Sequence, residues 1–487
     1  MENTDKKNYS AAIVTLTSLF FMWGFITCLN DLLTPFLKGV FDLTYFQANL
    51  VQFAFFAAYF VISLIYFMVS STFGDPIQKV GYKNTLVAGL LIAAAACFLF
   101  FMEAGSENPK FGLFLMALFM LGTGFTFLQI AANPLVSLLG TSETASSRLN
   151  MSQAFNSLGT TLAPVVGGYF IFTYFKEEGA TQSASAVQIP YLVLASVLLV
   201  LAGVLFFSNV PNKVGEKVAE VRGAGALKHP YLVFGMIGIF CYVGAEVSIG
   251  NNLIGFMGSS CGIATEVATT YLMFYWGGAM IGRFMGAISM SQMPSSKKYM
   301  FMAIAGVLTT CIIVAIANSK EGFDLGQVAY FVMFLVLNFL VFISAKSLPS
   351  RTLGFFAIIN VVLLLVMLLC GGSISLWAIL SIGLFNSIMF SNVFTLAIDG
   401  LEEYTAQGSS LLVMMILGGA IVPPVQGLLT DYFHNNSPES LKFAFLVPLV
   451  CYIYLAWYGF VGSGIGKKKN IVVKKEEHPE SIVLRND

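Results

Sequence analysis

The sequence predicts an all-helical polytopic membrane protein, two bundles of helices joined by a short polar linker, and three observations predict it. Hydrophobic residues make up 57% of the 487 positions and charged residues only 10%, where a soluble chain carries roughly 25%. Mean hydropathy is +0.81. Apolar runs of about 20 residues, the length that crosses a hydrocarbon core, recur along the chain. Lysine and arginine then sort to alternate ends of those runs.

The first run, at about 12–37, follows a polar start and has no small-residue cleavage site behind it. We therefore expect a retained first helix and no cleaved signal peptide. Runs at about 46–73, 84–103, 111–139, 150–176 and 188–209 complete a six-helix bundle over 1–210. The polar stretch PNKVGEKVAEVRGAGALKHP, 211–230, is the linker. A second bundle over 231–463 contains runs at about 231–258, 265–291, 298–319, 328–346, 353–370, 374–398, 408–430 and 440–463, and 464–487 is a basic tail.

Placing the N-terminus in the cytoplasm leaves Lys6, Lys7, Lys79, Lys83, Arg148 and the basic residues of linker and tail inside. The outside ends then hold only Lys38, Lys110, Lys176, Lys320 and Lys442. That asymmetry satisfies the positive-inside rule with both termini cytoplasmic. A faint repeat at a shift of 260 residues superposes Gly159, Pro164, Val165 and Gly167 on Gly419, Pro424, Val425 and Gly427. Duplicated helical bundles are a common plan for secondary transporters.

Polar residues inside the runs are the candidate site. In the first run Trp23, Thr27, Asn30, Asp31 and Thr34 share one helical face. A membrane carboxylate such as Asp31 costs about 2.5–3.5 kcal/mol at a helix centre unless paired or wet. Pro35 cannot bond the Asp31 carbonyl, so one position offers a carboxylate and a freed carbonyl. The two readings are a cation-binding or titrating group lining a cavity, and a residue snorkelling at the interface. The fourth run repeats the arrangement with neutral groups: Gly122, Thr126, Gln129 and Asn133 share a face, and Pro134 frees the Ile130 carbonyl. Side-chain amides donate and accept together, which suits sugar hydroxyls, although they also glue helices. The second run adds Gln52, Phe56, Tyr59, Ser63 and Tyr66, and the fifth adds Gln153, Asn156 and Thr160.

In the second half, Glu246 sits mid-run, and Gly250 after it is expected to break the helix and turn Asn251 and Asn252 inward. Arg283 lies toward the cytoplasmic end of its run, as a gate or a structural partner of a helix C-terminus. Asn386, Ser387, Ser391 and Asn392 form a weaker stripe.

Other chemistries are excluded. The three histidines, 229, 434 and 478, lie at run ends or in the tail, which leaves no intramembrane metal cluster. GSGIGKK, 462–468, fails the phosphate-loop spacing. The seven cysteines read as small hydrophobes. No nucleophile and base recur on facing stripes, so we expect no enzyme, no cofactor and no nucleic-acid partner.

The runs LFFMWGFITCLNDLLTPFL, LQIAANPLVSLLG, SRLNMSQAFNSLGTTLAP, CYVGAEVSIGNNLIGF and QGSSLLVMMILGGAIVPPVQG resemble the fucose permease family of the major facilitator superfamily, closest to its bacterial glucose/galactose transporter branch. The superfamily's loop signature persists in Gly74, Lys79, Gly81 and Lys83, with Gln78 in place of its usual Asp. The resemblance implies a twelve-helix, monomeric symporter of the bacterial inner membrane that moves a monosaccharide with a cation by alternating access. Asp31 matches one family carboxylate. Gln129 stands where the second would be, and Glu246 where the family has Gln. The implied coupling residues are Asp31 and Glu246. On the polar stripes, the expected sugar ligands are Asn30, Gln52, Tyr59, Gln129, Asn133, Gln153, Asn156, Asn251, Asn252 and Asn386. The coupling ion is H+ or, with a sodium site near Asp31, Na+. Against the twelve-helix plan the chain has room for an extra helix pair at about 328–370, giving 12 to 14 spans. The rival from another class is a non-transporting sugar sensor or scaffold.

Overall fold

The computed structural model describes residues 10–43, 45–169, 184–214, 223–320, 322–433 and 440–467. Within its helices, the side chains of 30–32, 35, 45, 46, 48, 49, 164–169, 265, 266, 431–433, 440 and 441 lie outside the description. Most of the basic tail and the middle of the linker, 215–222, also lie outside it.

The apolar runs fold as helices. In the first half these are α1 (Ser10–Val40), α2 (Tyr45–Phe73), the short α3 (Pro76–Val80), α4 (Tyr82–Ala104), α5 (Phe111–Leu138), α6 (Ala145–Tyr169) and α7 (Gln188–Phe207). In the second they are α8 (Pro230–Cys261), α9 (Thr265–Ser289), α10 (Ser295–Asn318), α11 (Val328–Ser344) and α12 (Pro349–Leu369). The chain ends with α13 (Gly372–Asn386), α14 (Met389–Ile398), α15 (Thr405–Met414), α16 (Gly418–Phe433), α17 (Ser440–Ala444) and α18 (Leu446–Phe460). Twelve helical stretches among the described residues are long and apolar enough to cross a bilayer. Two further 25-residue helices, α6 and α9, stand beside them with more polar sequences.

The two halves repeat one packing scheme. In the first, α1 packs on α6, α2 on α5, and α4 on both α5 and α7. In the second, α8 packs on α16, α9 on α13, and α12 on both α13 and α18. Glycines set a close crossing at equivalent places in each half. A Cβ on Gly24 would strike the Asn156 backbone, and one on Gly159 would strike Phe21 and Phe25. Likewise Gly418 rests on the Phe240 carbonyl of α8, and Gly244 rests on Val422. Without bulk at these positions the backbones approach closely, which is how membrane helices associate when no hydrophobic gain separates them from lipid. The faint repeat that links Gly159 to Gly419 thus falls on equivalent helices, α6 and α16.

This scheme relocates the extra pair. α12, inside the expected pair at 328–370, occupies the place that α4 holds in the first half, and half of the apolar stretch of each is buried (50%). The helices outside the repeat are α10 and α11, where only 28% of each stretch is buried. Their outward faces carry Phe301, Ile304, Val307, Leu308, Val332, Met333, Val336 and Leu340. An apolar run reports that a helix fits the bilayer but not which neighbours it meets, so the sequence alone misplaced the pair by one helix.

Three helical spans of the second half are interrupted, the last of them at Phe445 between α17 and α18. Ser387 and Ile388 separate α13 from α14, and a 3-10 turn at Met415–Leu417 separates α15 from α16. The helix α8, in contrast, runs through Gly250 without the expected break. Gly250 instead makes room for the Trp276 ring, which a Cβ would meet at 2.7 Å.

Candidate functional site: a cavity between the halves

A cavity of about 160 Å³ opens where the polar stripes of the two halves face each other. The first half contributes Trp23, Gly24 and Thr27 from α1, and Phe55, Phe56 and Tyr59 from α2. It also contributes Gln129 from α5 and Gln153, Asn156 and Thr160 from α6. Tyr242, Val243, Glu246, Arg283, Phe390 and Ile416 line it from the second half. These first-half positions come together because their helices are unbroken there, so residues at a period of 3.6 project onto one face.

The amides are held differently. Asn156 Nδ2 donates to the Phe20 carbonyl (3.0 Å), which ties α6 to α1. Gln129 Oε1 is buried without a hydrogen-bond partner. The same is true of both amide atoms of Asn133, one turn farther along α5 and outside the cavity lining. A buried polar atom without a partner costs about 1–3 kcal/mol, so such atoms mark places that a ligand or water satisfies. The carbonyl freed by Pro134 is satisfied from across the molecule: Ser409 Oγ on α15 donates to Ile130 O at 3.0 Å.

Glu246 and Arg283 carry the charge of the described lining. Arg283 Nη2 lies 3.5 Å from Glu246 Oε1, with the two side chains 12% and 13% exposed. The Tyr242 hydroxyl donates to the same carboxylate oxygen (2.7 Å) and accepts from Arg283 Nη2 (3.3 Å). Arg283 Nη1 also donates to Ser157 Oγ on α6, across the interface. Its Nε donates to the Ser387 carbonyl (3.1 Å), at the interruption after α13. Arg283 thus reaches the C-terminal end of α13, and the same guanidinium also faces the cavity. A carboxylate only accepts and a guanidinium only donates. Paired, they offer a polyol both functions with no net charge.

Several other expected ligands are elsewhere. Asn251 is exposed, because five residues along a continuous helix turn it about 140° away from Glu246. Asn252 Nδ2 donates to Ser248 O (2.9 Å) and Gln426 Oε1 (3.2 Å), fastening α8 to α16. Asn386 is buried in a scaffold network: Oδ1 accepts from Asn360 Nδ2 (3.0 Å) and the Tyr452 hydroxyl (2.7 Å). Its Nδ2 donates to the Tyr275 hydroxyl (3.1 Å), which in turn donates to the Glu246 carbonyl (2.9 Å). Asn386 thereby positions α8 without lining the cavity. Gln52 is half-buried, one turn along α2 from Phe56, and does not line the cavity. Asn30 and Asp31 lie on α1 one turn beyond Thr27, but their side chains are outside the described residues. Sequence reasoning missed Tyr242, four residues before Glu246 on the same face and legible by that spacing. It also missed Phe390, just after the break at Ser387–Ile388, and Ile416, within the 3-10 turn, which carry no sequence signal.

Hydrogen bonds between the halves cluster on the linker side of this cavity. Ser146 Oγ meets Thr395 Oγ1 (2.6 Å), and Ser147 Oγ donates to the Ala287 carbonyl (2.6 Å). Asn150 Nδ2 donates to Asn392 Oδ1 (3.3 Å), and Gln407 Nε2 to Ser71 Oγ (3.2 Å). Gln78, which replaces the usual Asp of the loop signature, donates to the Glu403 carbonyl at 2.9 Å. Each of these described bonds joins neutral groups.

The Major Facilitator Superfamily model matches residues 14–353. A glucose/galactose transporter of Brucella abortus is 40% identical over 95% of this chain and 96% of its own. An L-fucose-proton symporter of Escherichia coli is 27% identical, covering 92% of each chain. Among solved structures, the transporter FucP in the outward conformation superposes with a TM-score of 0.72 at 26% identity, over 93% of this chain and 98% of that one. The packing repeat, the cavity at its centre and these matches agree: the chain belongs to the major facilitator superfamily of transporters, in its fucose permease family and on the branch of bacterial glucose/galactose transporters.

Proposed function

We propose that the chain is a proton-coupled symporter of a single hexose, such as glucose or galactose, working by alternating access in the bacterial inner membrane. The observation that carries this reading is the cavity itself. Its volume of about 160 Å³ matches the roughly 150 Å³ in which an engineered site holds one benzene ring. A site on that scale suits one sugar ring better than a longer saccharide. Three amides and the tyrosine hydroxyls supply donors and acceptors, while Trp23, Phe55 and Phe56 supply flat apolar faces for the C–H side of a sugar ring. The Glu246–Arg283 pair is internally neutral, which favours an uncharged polyol over an acid or an amine. The names of the glucose/galactose and fucose-proton relatives support the same substrate class.

In this reading Gln129, Gln153 and Asn156 bind sugar hydroxyls, and Glu246 closes on the sugar from the other half. Asp31 takes up and releases the coupling proton. The protein acts as a monomer with both termini cytoplasmic, in keeping with the sorting of its basic residues. The deciding measurement is uptake of labelled glucose, galactose and fucose by proteoliposomes under imposed proton or sodium gradients. The expected outcome is hexose accumulation driven by protons. Accumulation on sodium alone would replace the ion, and no uptake under either gradient would favour a sensor. Within the same assay Asp31→Asn should abolish uphill accumulation yet keep counterflow exchange, and wild-type accumulation by that variant would remove Asp31 from the coupling step.

A further inference from the structure

Beyond the cavity, α2 and α5 share a buried polar seam, of which the sugar site uses only the first pair, Tyr59 and Gln129. Tyr59, Ser63, Tyr66 and Ser70 recur along α2, and Thr126, Gln129, Asn133 and Ser137 along α5; all eight are buried. The two faces meet, since Gly122 of α5 rests on the Phe55 carbonyl and Ala58 of α2, and Tyr59 interacts with Gln129. At its cavity end the seam begins with Tyr59 and Gln129. At the linker end the Tyr66 hydroxyl donates to Asp75 Oδ1 at 2.5 Å.

Unpartnered atoms run the length of this seam: Gln129 Oε1, Ser63 Oγ, both amide atoms of Asn133 and, at its end, Asp75 Oδ2. Successive turns of a helix are about 5.4 Å apart, a separation that one bridging water covers. Buried polar atoms left without protein partners are where ordered water is found.

Asp75 itself does more than hold local structure. As the N-cap of α3 it needs one oxygen, and Oδ1 fills that role by accepting from the Ile77 amide (2.9 Å). Oδ2 is left over and buried. Facing the carboxylate are Tyr66 from α2 and Tyr82 from α4, while Lys79 Nζ donates to the Phe73 carbonyl (2.7 Å). Burial raises the Asp75 carboxyl above its ordinary pKa, against the opposing pull of the Tyr66 hydroxyl and the amides of Ile77 and Gln78.

We propose that the α2–α5 seam holds a file of ordered water and carries the coupling proton from the central cavity to Asp75, which takes it up on Oδ2 and releases it to solvent on the linker side. The inference rests on the proton-coupled reading above. In balance, a proton leaves the cavity side and neutralises the Asp75 carboxylate. Its departure to solvent restores the anion, with no electron transferred.

The test uses the full chain in proteoliposomes. The wild type under proton and sodium gradients decides the coupling reading by itself; sodium-driven accumulation without proton uptake overturns both. Given proton coupling, Asp75→Asn keeps a good N-cap but cannot titrate. Its sugar accumulation should fall to the equilibrium level while counterflow exchange, which needs no net proton movement, continues. Asn133→Leu, which dries the middle of the seam, should show the same split. Wild-type accumulation by Asp75→Asn overturns the proposal. If that variant does not fold, Tyr66→Phe decides: losing the hydroxyl that favours the anion should move the alkaline limb of net uptake to higher pH, and an unmoved profile overturns the route.

Discussion

The two walls of the cavity are built on opposite principles. The first-half wall is a set of neutral amides, hydroxyls and aromatic rings on helices that run unbroken past the site. The second-half wall has few polar groups but includes the ion pair of Glu246 and Arg283, and it borders two of the helix interruptions, at Ser387–Ile388 and Met415–Leu417. An unbroken wall holds its donors and acceptors in fixed places, which suits recognition. An interrupted wall leaves backbone carbonyls in need of donors, and Arg283 answers one of them at Ser387. The same guanidinium bonds Glu246 and Ser157, so the charge of the second half is tied to the helix break and to the opposite half at once. A change at any of these contacts reaches the others.

Breaking the ion pair should produce the largest difference between the walls. Arg283→Ala leaves Glu246 buried without its cation and the Ser387 carbonyl without its donor. Removing one partner of a buried pair costs about 3–5 kcal/mol, so thermal stability in detergent and uptake should both collapse. The double substitution Glu246→Gln with Arg283→Gln should recover most of the stability and little of the uptake. Recovery of transport by the double variant would reduce the pair to a structural role.

Next comes the scaffold of the first wall. In Gly159→Leu the new Cβ would meet the Phe25 amide at 2.8 Å, which pushes α1 off α6. Overpacking of this kind costs about 1–3 kcal/mol, and it also moves Trp23 and Thr27 from the cavity, so hexose affinity should fall with stability. Gly427→Ala, which the repeat pairs with Gly167 and not with Gly159, meets nothing within 4 Å and should change neither. Equal effects at both glycines would contradict the close-crossing account.

The smallest effect is expected at single recognition groups. Gln129→Ala removes an amide whose oxygen has no hydrogen-bond partner in the protein, so the cost should appear chiefly in binding. One hydrogen bond is worth about 1 kcal/mol, several-fold in affinity, with the melting temperature preserved. Asn251→Ala, on an exposed position, should leave affinity unchanged. Asn386→Ala should instead lower stability, since Tyr275, Tyr452 and Asn360 all lose a partner. A loss of stability in Gln129→Ala would point to helix glue rather than to sugar recognition.

The sequence by itself determined what depends on one helix at a time. Periodicity placed Trp23, Thr27, Tyr59, Gln129, Gln153 and Asn156 on faces that line the cavity, because an uninterrupted helix turns by a fixed angle per residue, and Glu246 stood out as a charge inside an apolar run. It also marked the carbonyl freed by Pro134. Tertiary structure alone decided what depends on neighbours. It supplied Ser409 as the donor to that carbonyl, turned Asn251 outward and put Asn252 and Asn386 to work as fasteners. It set α12 inside the packing repeat, with α10 and α11 at its edge, and it interrupted a helix at Ser387–Ile388 where no proline announces a break. A local pattern fixes the direction of a side chain relative to its own helix axis. What that side chain meets is fixed by helices hundreds of residues away, and in a membrane, where every helix is apolar, the one-dimensional pattern carries almost no information about which of them it will be.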